Sequence, residues 1–143
     1  MGALGRGRST LGRSQASLIA VALGTPAILF AIMFVLAAMD PAVKTLHPER
    51  LGLRCFGLTL AAAIFPLVGL SVVRRHSDPV HPAATGAALG TACGASVGVM
   101  VEFWCPVATP EHVAIGHILP IVVLSVFGAC LGARVLALPR ARR

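Results

Sequence analysis

A chain of 143 residues and 14.7 kDa has room for one compact unit. Apolar residues make up 57% of it, charged residues only 12%, and the mean hydropathy is +0.87, which excludes a soluble globular enzyme and equally a disordered basic tail. The net charge of +7 suggests nucleic acid at first sight, but the arginines flank apolar blocks. No aromatic-rich basic face is available for stacking or groove entry, so direct nucleic-acid binding is not expected.

Four apolar blocks follow one another, and the fold class they predict is all-α, an integral membrane bundle of four transmembrane helices. Ser17 to Met39 runs for 23 residues without a charge, enough to cross a hydrocarbon core of about 30 Å. It is too long for the apolar core of a signal peptide and is read as a retained anchor. Leu51 to Val73 has one charge, Arg54, near its start, where a long side chain snorkels to the headgroups. Pro82 to Trp104 is rich in glycine and alanine, which lets neighbouring backbones approach closely. Ile115 to Leu138 has a second small-residue set. Gly90-x3-Gly94-x3-Gly98 and Gly128-x3-Gly132 carry the GxxxG spacing, which indicates close helix packing and also permits a homodimer. Pro26, Pro66 and Pro120 predict kinks. The expected organisation is a basic tail over 1–16, a transmembrane domain over 17–138 with helices at about 17–39, 51–73, 82–104 and 115–138, and a second basic tail over 139–143.

Arginine and lysine set the orientation. Three in the N-terminal tail, two in the 74–81 loop and four from Arg134 to the C-terminus share one face, against Lys44, Arg50 and Arg54 on the other. The count places both termini in the cytoplasm of a bacterial inner membrane, with the basic face on anionic lipid.

This topology brings Cys55 and Cys105 to one membrane face at similar depth, within about 6–8 Å by the helical rise. On the outer face thiols meet an oxidising compartment. A bridge needs Cα atoms within about 7 Å, hence adjacent second and third helices. Cys93 and Cys130 fall deeper and read as small buried residues. No CxxC is present.

Beside Cys105 lies the densest polar cluster: Glu102, Trp104, Cys105, Pro106, Glu111, His112 and His117. Thiolate and imidazole are preferred by zinc- and copper-like ions, and Glu102, Glu111 or Cys55 would complete a tetrahedral shell of a thiolate-binding metal. His112 and His117 project about 140° apart on a continuous helix, so joint ligation needs a break between them, for which Gly116 is suited. Ordinary interfacial placement is the alternative for both rings. Glu102 reads equally as a functional carboxylate or as a solvated one, and Trp104 as an interface anchor. With no Ser/His/Asp set, P-loop or paired carboxylates, no enzymatic activity is expected.

Arg74-Arg75-x5-His81-Pro82-Ala83-Ala84-x-Gly86, the small-residue helix, Trp104-Cys105-Pro106, Gly116-His117 and the ending Gly128-x3-Gly132-Ala133-Arg134 resemble the C-terminal half of the NrsF family, polytopic bacterial anti-sigma factors. The resemblance covers about 51–138. Its sharpest mark is the pair Cys105-Pro106, matched by Cys55. Family members look longer, with about six spans against four here. The resemblance implies a protein that tethers an extracytoplasmic-function sigma factor and frees it when outer-face cysteines sense metal or oxidative stress. From the residues alone, a small metal-handling transporter and a structural membrane subunit stand as the other readings.

Overall fold

The structure is a computed structural model and describes residues 14–39, 52–75, 77, 79–107 and 109–136. The expected basic tails, apart from 14–16, and the stretch with Lys44 and Arg50 lie outside the described residues.

The described chain is all-helical: α1 (Gln15–Met39), α2 (Leu53–Val73), α3 (Pro82–Glu102), α4 (Pro110–Val113), a π-helical turn (Ala114–Ile118) and α5 (Leu119–Val135). Four of its segments are long and apolar enough to cross a membrane, the last running unbroken from Pro110 to Val135. The first helix opens at Gln15, with Ser14 Oγ accepting from the Ser17 amide at 3.3 Å. Leu23, Phe65, Val73 and Val126 are more than half exposed. Such a surface suits a hydrocarbon solvent, where leucine on the outside carries no penalty. Pro26 and Pro66 sit inside α1 and α2, and Pro120 sits inside the continuous last span just after the π-turn, where its missing amide hydrogen interrupts the helical ladder.

The last span begins at Pro110, five residues before the expected Ile115. Glu111 and His112 break the apolar pattern, so hydropathy places the boundary too late. Thr109 is extended, Pro110 opens the turn, and Val113 N–H donates to Thr109 O at 3.0 Å.

The most extensive contact is between α3 and α5. Along it the backbones touch: a Cβ on Gly86 would collide with the carbonyl of Gly128, and one on Gly90 with that of Leu124. Gly128 and Gly132 meet Gly86 and Pro82 in return. These glycines therefore pack against one another inside one chain, the close helix packing that the spacing indicates. Ala63, Leu67, Cys93 and Leu124 form the core beside this seam. Thr91 Oγ1 donates to Ala22 O at 3.4 Å and ties α1 to α3. Gly90→Leu is expected to lower the stability of the detergent-solubilised bundle by about 3 kcal/mol or more, read from its thermal or steric-trap unfolding. Gly57→Leu, where nothing lies within 4 Å of a new Cβ, should leave it unchanged.

Candidate metal and thiol site

The starts of α2 and α4 and the end of α3 converge at one end of the bundle. Gly52 caps α2 with φ 77°, the left-handed region that glycine enters without strain. A side chain there would also meet His112 O at 2.8 Å and Gly116 N at 2.9 Å. The start of α2 thus rests directly on the π-turn, and Gly116 comes close enough that its Cβ would stand 3.3 Å from Cys55 Cβ. Gly52→Ala is expected to cost at least about 1–2 kcal/mol from backbone strain alone and to weaken metal binding along with stability. A cobalt titration beside a melting curve would show both losses.

After α3 the chain folds tightly, with Trp104 N–H donating to Val101 O and Cys105 N–H to Glu102 O, each at 3.1 Å. This turn leaves Trp104 89% exposed, as an interface anchor would be, and directs the Cys105 thiol inward. Cys105 Sγ lies 3.7 Å from Cys55 Sγ, 3.1 Å from His112 Nε2 and 3.7 Å from the Val107 carbonyl. Both cysteines are half-buried free thiols, whereas His112 and His117 are buried.

One ligand atom from each of Cys55, Cys105, His112 and His117 fits within a set whose members all lie within 4.8 Å of one another. The obstacle raised by the five-residue spacing is removed by the π-turn. Its hydrogen bonds join residues five apart, so it carries one residue more than the α-helical turn it replaces. The two rings come together with centroids 5.6 Å apart and planes tilted by 41°. Gly116, the residue suited to a break, lies within this turn.

A tetrahedral ion with metal–sulfur bonds of about 2.3 Å separates two sulfurs by about 3.8 Å, close to the 3.7 Å between Cys55 and Cys105. The donor set is that of zinc-like ions. His117 gives a second test of fit: it is fully buried and neither ring nitrogen completes a well-formed hydrogen bond. Its Nδ1 is 3.1 Å from Glu102 Oε2, near enough for an ion pair although poorly aligned, and the Gly98 backbone also approaches the ring. A carboxylate on one ring nitrogen leaves the other to face an ion, the usual outer support of a metal-bound histidine. Glu102 therefore stands behind His117 and outside the four-residue set, where the sequence offered it as a direct ligand. Glu111 is exposed and takes no part. Pro106 is also exposed and ends the turn that aims Cys105. Of the other cysteines, Cys93 lies in the core as expected, but Cys130 is exposed on the flank of α5, because an evenly apolar helix gives no pattern that marks its buried face.

The sequence profile of the family described as negative regulator of sigma F matches residues 2–137. The chain belongs to the NrsF family. The match takes in α1 as well as the three later spans, more than the resemblance from Leu51 onward covered. No curated protein and no solved structure matches. As an NrsF protein the chain is a negative regulator of a sigma factor, and a sigma factor is its implied partner. Membership of a regulator family also agrees with a non-enzymatic role.

Proposed function

We propose that this NrsF protein holds an extracytoplasmic-function sigma factor at the bacterial inner membrane and releases it when Cys55 and Cys105 meet a thiolate-binding metal ion or an oxidant. The observation that carries the reading is the convergence of two thiols and two imidazoles, with ligand atoms within 4.8 Å, at one end of the bundle. An ion bound there would supply a charge that joins α2, the α3 turn and the π-turn. Oxidation would join two of the same sulfurs covalently. Either event favours one arrangement of the helices over another, and a cytoplasmic face that binds sigma differently in the two completes the switch.

The distribution of arginine and lysine, nine against three, supports cytoplasmic termini and an outer-side position for the cluster. Lipid contact on the basic inner face accompanies this orientation. A transporter would need ligands continuing through the bilayer. Cys93 and Cys130 are the cysteines at depth, and one is enclosed in the core while the other faces outward.

The test is co-purification. Sigma factor should be recovered with the detergent-solubilised protein and lost on adding zinc, cadmium or an oxidant, and Cys55→Ser and Cys105→Ser should retain it under both treatments. Failure of any sigma factor to co-purify from the native organism would refute the proposal.

A further inference from the structure

Next to the thiols is a cavity of about 470 Å³, within the size range of small-molecule sites. Its walls are mostly apolar, with Leu53, Leu58, Val101 and Val107 among them, and Trp104 stands at its side. Lining residues that carry a polar side-chain group are few: Arg54, Cys55, Trp104, Cys105 and His112. Among the described residues no carboxylate lines it, so it suits an apolar body that carries hydrogen-bond acceptors. It lies where the spans of α2 and α3 end, at the depth of the membrane boundary.

We infer that this cavity admits the head ring of a membrane quinone, and that the quinone is the oxidant of the Cys55–Cys105 pair. This rests on the reading of that pair as an oxidant sensor. A quinone ring has carbonyl oxygens for Arg54, an apolar tail that stays in the bilayer, and a capacity for two electrons and two protons that two thiols match. A fatty-acid hydroperoxide is the other lipid oxidant. With its carboxylate on Arg54 its peroxide would sit mid-chain, well below sulfurs that lie one residue from Arg54 and at the end of α3.

The step balances within these groups. Cys105 Sγ–H, 3.1 Å from His112 Nε2, gives up its proton. The thiolate adds to a ring carbon. Cys55 Sγ, 3.7 Å from Cys105 Sγ, then attacks that sulfur, forming the S–S bond as the carbon–sulfur bond breaks and its electron pair enters the ring. The two thiol protons end on the quinone oxygens and give the hydroquinone. Among the described residues no second cysteine pair lies at this end to carry the electrons onward, so the event is stoichiometric and suits a sensor.

The experiment uses reduced, chelator-treated full-length protein in lipid nanodiscs under anaerobic conditions, with a short-tailed ubiquinone analogue. One quinone should be reduced per chain, read by ultraviolet absorbance, and both thiols should become unreactive to a maleimide. Leu58→Trp, which narrows the cavity, and Arg54→Ala should each slow this at least about tenfold, a barrier increase of about 1.4 kcal/mol, while the small oxidant diamide closes the pair at the wild-type rate in both. Free thiols after quinone treatment, an unchanged rate in Leu58→Trp, or faster reaction with a fatty-acid hydroperoxide would each overturn the inference. If diamide closes the pair without releasing sigma, the oxidant-sensing reading itself falls, whatever the quinone does.

Discussion

Cobalt binding to the purified protein should produce sulfur-to-metal charge-transfer absorption, and Cys105→Ser should weaken that binding by about a hundredfold or more. Structural four-ligand sites are worth about 10–16 kcal/mol of apparent binding free energy at neutral pH, so each ligand carries about 3 kcal/mol. Cys105 should exceed this share because it touches both Cys55 and His112, at 3.7 and 3.1 Å, and its loss disturbs two other ligands. Serine keeps the volume and removes the soft donor, which separates ligation from packing. Retention of wild-type affinity would remove Cys105 from the metal site. Binding should also weaken on acidification, since protons compete for thiolate and imidazole.

The second large effect concerns a residue placed outside the ligand set. Glu102→Gln is expected to lower metal affinity by about 10–100-fold, the usual cost of losing an outer partner of a metal-bound histidine, while the charge-transfer band keeps its shape. His117→Ala should cost more and change the band, because it removes a nitrogen donor. The 3.1 Å contact between Glu102 Oε2 and His117 Nδ1 underlies the contrast. If Glu102 were itself a ligand, its substitution would alter the spectrum as His117→Ala does. If it were only solvated, affinity would not move.

Hydropathy alone was enough to give four spans and the fold class, because an apolar run of this length with at most one charge has few other uses. The nearness of Cys55 and Cys105 was legible too, as a consequence of up-and-down topology. Three features were not. Polar residues at the start of the last span hide its first turn, since Glu111 and His112 look like loop. The partners of each glycine depend on helix rotation, which nearly uniform apolar helices do not encode, and the orientation of Cys130 escapes for the same reason. For His112 and His117 a period of 3.6 residues calls for a break near Gly116, and the form of that break, a π-turn, is what the pattern leaves open.

That turn fixes how this part of the chain tolerates changes of length. One residue removed between Ala114 and Ile118 would convert the segment to ordinary α-helix with the imidazoles at positions four apart, still neighbours on one side of the rod. One residue added would swing the second imidazole by about 100°, away from the sulfurs. Contraction at this point would be tolerated by the donor set, and expansion would take it apart.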